Sequence, residues 1–362
     1  GYMPSGTAII KISDFIQAAA GTTFAPTLTL VGNLPSGAVS KNFTLSVGSQ
    51  ISNTEFTFIV ARVAGAYKGM ATTEEGIKLG EALDKATINV IDDAKPIIAA
   101  LDSIIAPLSI DSLAKQVSGS PFGSLLLASR DRNNMLTNII TNKMLFDERT
   151  TKTEFGDFAT PFKFKIKRDT TNSNDGFRSD TDGIFIGTEV RNGTWNTGFH
   201  MGFFKDETTI SSWAPMTGKT EGKFAGFHGI KDTNERGMFV FAQTRFGLDS
   251  TDTERFASIM GINRNNKASW TEKNSMGEIG IGWRNQNGKT SLMPIMGLNY
   301  SMNRRPSVKE HCPSGDGLAL SIGEGIYEAV ISKVGLAISR EQYIKNSDTK
   351  IKTDLSAIWN HD

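Results

Sequence analysis

From about Lys152 to the C-terminus, apolar and polar residues alternate, and this alternation restricts the possible folds more than any other feature of the sequence. In residues 195–203 the odd positions are Trp, Thr, Phe, Met and Phe, while the even positions are Asn, Gly, His and Gly. In residues 351–359 one side is Ile, Thr, Leu, Ala and Trp, and the other side is mostly polar. Because successive strand residues point to opposite sides, the pattern predicts antiparallel sheet with one apolar and one polar face.

The alternating segments number ten, and we predict strands near residues 153–167, 183–192, 194–205, 221–231, 236–248, 253–264, 269–285, 289–303, 317–341 and 349–361. Tight Asn-Gly connections, at Asn192-Gly193 and Asn287-Gly288, alternate with longer polar ones. Such alternation of short and long connections is typical of transmembrane barrels. A soluble antiparallel sandwich would instead pack a second apolar layer on the inner face, which here is polar or glycine-rich.

Two other patterns precede the alternating region. Residues 1–72 contain short β-type runs separated by Gly and Pro turns. Residues 73–150 are helical in pattern, with Thr72 or Thr73 as the first N-cap and one-sided apolar spacing over 97–104. We predict that the last helix of this region covers residues 122–144 and has a strongly polar face.

Composition excludes several classes of function. The 39 Lys and Arg residues balance 38 Asp and Glu residues, and this argues against nucleic-acid binding through a basic field. The single cysteine, Cys312, excludes an intramolecular disulfide and a cysteine-based metal site. The four histidines show no metal-ligand spacing, and we interpret His311 beside Cys312 as a solvated loop pair. We therefore expect no metal and no cofactor.

Several motifs follow one another in an order that resembles the translocator domain of classical (type V) autotransporters. The residues from Asp182-Gly-Ile-Phe-Ile-Gly-Thr-Glu-Val-Arg191 through Gly193-Thr-Trp-Asn-Thr-Gly-Phe-His-Met-Gly202 resemble the family's second and third strands. Leu292-Met-Pro-Ile-Met-Gly-Leu-Asn-Tyr300 and Leu355-Ser-Ala-Ile-Trp-Asn-His361 resemble two later strands. Upstream, Asp111-Ser-Leu-Ala-Lys-Gln-Val-Ser-Gly119 resembles the short helix before the pore segment.

The resemblance implies a mainly β fold: an antiparallel transmembrane barrel with a helix in its pore, preceded by a helical linker and a small β-rich passenger end. Residues 1–72 would be the end of the passenger, residues 73–150 the linker with the pore helix, and residues 151–362 the barrel. Family barrels have twelve strands and end in an aromatic residue, whereas this chain ends Trp359-Asn-His-Asp362 after ten predicted strands. We therefore expect a fragment that lacks two strands, in preference to a ten-stranded barrel.

The function implied is a monomeric translocator in the outer membrane of a Gram-negative-type bacterium, which displays or secretes its own passenger at the cell surface. Its partners would be outer-membrane lipids, the barrel-assembly machinery and that passenger. Alternation assigns an outer, lipid-facing belt to Trp195, Phe199, Phe203, Leu336 and Trp359. It assigns a hydrated, pore-lining face to Glu189, Arg191, His200, Gln243, Arg245, Lys333 and Asp354.

The only candidate for chemistry is the Asn133-Asn134 peptide bond in the predicted pore helix. One autotransporter subgroup cuts an Asn-Asn bond inside the barrel by cyclisation of the first Asn side chain, assisted by a lumen carboxylate. Here only the dipeptide matches, so an ordinary polar helix face is the favoured interpretation and no enzyme activity is expected. The alternative function for the whole chain is a soluble secreted β-protein, such as an adhesin or a glycan-binding module.

Overall fold

The computed structural model describes residues 64–86, 110–147, 152–171, 174–233, 237–259, 261–343 and 350–361, together with seven short strands before residue 63. Those seven strands form a two-stranded and a five-stranded antiparallel sheet. They are β1 Tyr2–Met3, β2 Thr7–Ala8, β3 Thr23–Phe24, β4 Thr27–Thr29, β5 Gly37–Ser40, β6 Phe43–Gln50 and β7 Glu55–Arg62. The upstream region is therefore β-rich where it is described.

Three described helices connect this region to the main sheet: α1 Glu74–Ala86, α2 Ile110–Gln116 and α3 Ser120–Phe146. The Thr73 hydroxyl accepts a hydrogen bond of 3.1 Å from the backbone N–H of Gly76, so it caps α1 as expected. The helix α3 is longer than the predicted span by two residues at each end, and its earlier start is explained by Pro121, which suits a first helical turn. The predicted helical segment at 97–104 lies outside the described residues. None of the helices in the described part of the chain is both long and apolar enough to span a bilayer.

The main sheet is an antiparallel meander in which each long strand pairs with the next. Its strands are β8 Glu154–Arg168, β9 Gly176–Asn192, β10 Trp195–Ser211, β11 Met216–Asp232, β12 Met238–Ile259, β13 Ile262–Trp283, β14 Asn285–Asn287, β15 Thr290–Arg305, β18 Gly325–Tyr343 and β19 Lys350–His361. A small hairpin, β16 Val308–Lys309 and β17 Ser321–Ile322, lies in the connection before β18. The sheet curls as a half-barrel around α3, and β8 and β19 are its two edges within the described residues.

The strands extend further than the sequence pattern indicated. The predicted separate strand at 253–264 is wrong, because these residues are the end of β12, a tight turn at Gly261 with φ of 83°, and the start of β13. The sheet reaches ten strands only by including the three-residue β14. The apolar belt ends within each strand, but charged outward residues continue the pairing, as in the 3.0 Å ion pair between Lys205 and Glu221. Strand pairing therefore continues beyond the residues that alternate between apolar and polar.

The inner face of the sheet is filled by phenylalanine rings that each lie over a glycine on the neighbouring strand. In each pair the two residues are directly opposite in register, and a Cβ added to the glycine would lie 2.0–2.6 Å from a ring carbon. The pairs are Phe158 with Gly187, Phe162 with Gly183, Phe204 with Gly222, Phe224 with Gly202, Phe239 with Gly282 and Phe241 with Gly280. The many Phe residues thus fill the inner face with their rings, and the many Gly residues leave the space that these rings occupy.

Candidate functional site

The helix α3 lies along the concave face of the sheet, and its two halves contact that face differently. In the C-terminal half, Leu136, Ile140 and Met144 are at most 1% exposed and pack in one cluster with Phe185 and Phe239. The N-terminal half instead buries charged and polar side chains, including Arg130, Arg132 and Asn133. A charged side chain buried in this way destabilises the fold unless well-placed partners of opposite charge or hydrogen-bonding groups contact it.

Arg132 is the central ion of the N-terminal half. Its guanidinium donates to Asp206 at 3.2 Å and to Asp249 at 3.0 Å, and all three side chains are at most 3% exposed. Asp206 also accepts hydrogen bonds from the hydroxyls of Ser179 and Thr181, on a neighbouring strand. One helix residue is therefore tied to two strands, β10 and β12, and through them to β9.

Asn133 and Asn134 lie next to this cluster and are also buried. Arg245 Nη2 donates to the Asn133 backbone carbonyl at 2.8 Å and to its Oδ1 at 3.0 Å. The hydroxyl of Thr137 donates to the same carbonyl at 2.8 Å. Among the described residues, Nδ2 of Asn133 has no hydrogen-bond partner, and so no carboxylate contacts it.

A second ion pair holds the middle of α3. The Lys333 ammonium lies 2.8 Å from Glu278 Oε1 and donates to Asn138 Oδ1 at 2.9 Å. Glu278 also accepts from the Thr141 hydroxyl at 2.8 Å, and Gln243 donates to the same hydroxyl at 2.8 Å. The helix face that carries Asn138 and Thr141 is thereby fixed to β12, β13 and β18.

The C-terminal end of α3 carries a third cluster. The Lys143 ammonium lies 2.8 Å from both Asp147 and Glu189. Glu189 also contacts His228 Nε2 at 3.1 Å, and the Nδ1 atoms of His200 and His228 are 3.1 Å apart. The tight turn at 193–194 lies at this same end, since Asn196 beside it donates to Asp147 at 3.1 Å.

At the opposite end, Arg255 joins the sheet to the linker. Its fully buried guanidinium makes a two-pronged ion pair with Glu310, at 2.8 and 2.6 Å, and donates to the backbone carbonyls of Leu318 and Gln116. Gln116 is the last residue of α2. Around this pair, Ile110 and Leu113 of α2 belong to one apolar cluster with Ala257, Ile259 and Leu318.

The linker helices are also joined to one another through Asp111. Its carboxylate accepts hydrogen bonds from the hydroxyl and backbone N–H groups of Thr72 and Thr73, at 2.5–3.1 Å. The Thr72 hydroxyl, followed by the donors of Thr73, holds the pKa of Asp111 well below its usual range. The start of α1 and the first turn of α2 are thus held together beside the C-terminal end of β12.

Residues 158–362, more than half of the chain, match the family model described as the autotransporter beta-domain. The chain belongs to the autotransporter β-domain family. The translocator domain of autotransporter NalP from Neisseria meningitidis is 14% identical, with a TM-score of 0.51 over 65% of this chain and 77% of that one. The β-domain of the Bordetella autotransporter BrkA is also 14% identical, with a TM-score of 0.40 over 57% of this chain and 80% of that one. No curated protein matches the chain.

The NalP likeness agrees with the fold described above, and the family match favours an outer-membrane translocator over a soluble adhesin or glycan-binding module. Most residues that we assigned to the hydrated face lie on the concave side of the β-domain against α3 or its clusters: Glu189, Arg191, His200, Gln243, Arg245 and Lys333. Asp354 lies at the β19 edge, where it accepts from the Ser339 hydroxyl at 2.5 Å. The residues assigned to the lipid-facing belt lie on the convex side: Trp195, Phe199, Phe203, Leu336 and Trp359.

Several ions of the inner face were missed by sequence reasoning, among them Asp206, Asp249 and Glu278. Their signal was present, because Asp206 continues the period-two row of His200 along β10 and Asp249 continues that of Arg245 along β12. The strands predicted at 194–205 and 236–248 end one residue before Asp206 and Asp249, so these two residues were not included. His311 is exposed and lies 3.0 Å from Asp316, but Cys312 is buried, so the predicted solvated pair is wrong for the cysteine. In the described part of the chain no three metal-binding side chains converge.

Proposed function

We propose that this β-domain mediates the display or secretion of its own N-terminal passenger across the outer membrane. The observation that carries the proposal is the position of α3, a 27-residue helix on a polar concave face whose convex side is apolar. A chain held there leads from one side of the membrane to the other. Residues 1–72 are then the end of the passenger, and residues 73–150 the linker.

The direction of the chain follows from the turns. Membrane barrels have short turns on the periplasmic side and longer loops outside. The two-residue turns at 193–194 and 288–289 lie at the end where α3 finishes. The opposite end has one two-residue turn, at 260–261, but also the two longest connections of the sheet, 169–175 and 306–324. The N-terminal end of α3, the linker helices and Arg255 are therefore on the outer side, and the passenger precedes them there.

The lipid-facing belt and the polar concave face need no turnover chemistry for this task. The belt contacts outer-membrane lipid, the inner ions hold the helix, and the barrel-assembly machinery inserts a single copy. The interior residues Glu189, Arg191, His200, Gln243, Arg245, Lys333 and Asp354 line the pore in this proposal. Strands ending in charged outward pairs, such as Lys205 with Glu221, fit an outer rim in contact with water.

We further propose that α3 is not cleaved between Asn133 and Asn134. Cyclisation of Asn133 would need a base near Nδ2, whereas Arg245 fixes the opposite oxygen of that amide. We expect mass spectrometry of inserted, folded protein to find peptides that span Asn133-Asn134. A product ending at Asn133, absent from an Asn133→Gln variant, would overturn this part of the proposal.

The proposed display function is tested by finding on which side of the outer membrane two parts of the chain lie. The full chain, supplied with an export signal and an epitope before Gly1, would be expressed in Gram-negative cells and treated with protease while the cells are intact. We expect the epitope to be removed, whereas an epitope inserted after Gly193 survives until the outer membrane is permeabilised. Protection of both epitopes in intact cells would refute display.

A further inference from the structure

A groove on the convex side of the sheet lies where the apolar belt ends. It has a volume of about 670 Å³ and is lined mainly by apolar side chains. Phe203, Phe246 and Leu248 are 53%, 63% and 41% exposed, so their apolar surface faces outward. In a membrane such a groove accepts an acyl chain, because burying apolar surface is favourable and polar headgroups are excluded from it.

Two lysines, Lys223 and Lys273, lie at the rim of this groove. Each is directly opposite Leu248 in register, one on β11 and one on β13. With strands about 4.8 Å apart, their Cα atoms are about 10 Å apart, close enough for both ammonium groups to reach one phosphate. Arg304, opposite Lys273 on β15, is ion-paired with Glu324, so the positive charge at the rim comes from the two lysines.

These two lysines differ from three other outward lysines of the sheet. Lys165 pairs with Asp180 at 3.1 Å, Lys205 with Glu221 at 3.0 Å, and Lys267 with Glu254 at 2.8 Å. Within the described residues, neither rim lysine forms an ion pair. Their aliphatic stems can lie along the groove while the ammonium groups reach the headgroup level.

The rim lysines lie on the outer side of the belt. Along β10 the outward residues run from Trp195, beside a short turn, to Phe203, after which the outward residues are charged or carry hydroxyl groups. Lys223 is opposite Phe203. In the proposed orientation, in which the longest connections are outside the cell, the lysines face the outer leaflet.

We propose that this groove binds a phosphorylated, multiply acylated glycolipid of the lipid A type, with an acyl chain in the groove and a phosphate between Lys223 and Lys273. The inference rests on the proposed insertion in the outer membrane and adds a lipid class to it. Two positive charges facing a phosphate supply charge-assisted hydrogen bonds, and the apolar lining supplies the acyl contact.

Native mass spectrometry of the full chain in detergent micelles tests the site, with bisphosphorylated lipid A, dephosphorylated lipid A and phosphatidylcholine as probes. We expect wild type to prefer bisphosphorylated lipid A. A Lys223→Gln/Lys273→Gln variant should lose about 30-fold in affinity, equivalent to about 1 kcal/mol per lysine. The matched control, Lys165→Gln/Lys267→Gln, removes the same charge from paired positions and should change affinity less than about threefold.

Ala225→Phe fills the groove without changing charge and should also weaken binding of the lipid. Equal binding of the three probes, or equal affinity of both lysine variants, would overturn the proposal. Full competition by inorganic phosphate would reduce the site to a phosphate site and overturn the lipid assignment. Folding is monitored separately by heat-dependent gel mobility, so a chain that fails to insert is distinguished from a barrel that inserts without lipid preference.

Discussion

The pair formed by Gly222 and Phe204 gives the sharpest test of how the sheet holds its helix. An alanine Cβ at position 222 would lie 2.0 Å from Phe204 Cζ and 2.8 Å from an oxygen of Asp249. Carbon atoms in contact are about 3.5 Å apart, so the ring must move by about 1.5 Å. The ring is only 4% exposed, and its face lies 4.9 Å from the Arg132 guanidinium, so its movement disturbs the central ion cluster.

We expect Gly222→Ala to lower the free energy of unfolding by about 1–3 kcal/mol, the usual cost of overpacking. The matched control is Gly277→Ala, where an added Cβ meets nothing within 4 Å. Because alanine costs less backbone entropy than glycine, that control should be neutral or stabilising by about 0.5–1 kcal/mol. Only Gly222→Ala should therefore destabilise the protein.

Urea unfolding of the refolded full chain in detergent, followed by heat-dependent gel mobility, measures both variants. Phe204→Leu removes the ring, and combining it with Gly222→Ala should show a favourable coupling of about 0.5–3 kcal/mol. If both glycine variants shift the midpoint alike, or if the double variant shows no coupling, the ring-over-glycine contact does not determine the packing.

Three further substitutions test the ion clusters and the linker. Arg132→Met should cost about 3–5 kcal/mol in the same urea assay, since it leaves two buried carboxylates unpaired; additional replacement of both aspartates by Asn should restore much of the loss, and no recovery would contradict the pairing. Arg255→Gln should expose the linker to protease at about Gln116 while the sheet stays folded, with Lys267→Gln as the control; equal cleavage of both would show that Arg255 does not hold the linker. Asp111 has a depressed pKa, so its stabilisation of the linker should be complete above about pH 5 and lost as the pH falls below about 4; Asp111→Asn should remove that pH dependence of hydrogen exchange at Thr73, and an unchanged profile would contradict it.

Alternation alone was enough to predict the sheet and its apolar convex side, whereas the position of the helix inside the sheet came from the family resemblance. Inward and outward residues alternate along single strands such as β10, where His200 and Phe203 lie on the sides that the pattern predicts. Strand ends were less predictable, because charged pairs such as Lys205 with Glu221 continue the ladder without a hydrophobic signal.

The partners of each inner ion could not be read from the sequence. Arg132 meets Asp206 and Asp249, which are 74 and 117 residues away along the chain. Which strand each helix residue faces depends on the rotation and depth of α3 in the sheet, and both are set by packing of Leu136 and Ile140 against phenylalanine rings. Local patterns carry no information on that rotation.

The strands β12 and β13 are long enough for their hairpin to extend well beyond the apolar band of the sheet. Each strand has 22 residues, about 73 Å at about 3.3 Å per residue. Tilted by about 40°, such a strand rises about 55 Å, of which the apolar band occupies only about 25 Å. Because α2 packs beside Ile259, at the tip of this hairpin, the linker would lie up to about 30 Å above the lipid in the proposed orientation. The hairpin would then hold the proposed passenger beyond the sugars of the outer leaflet.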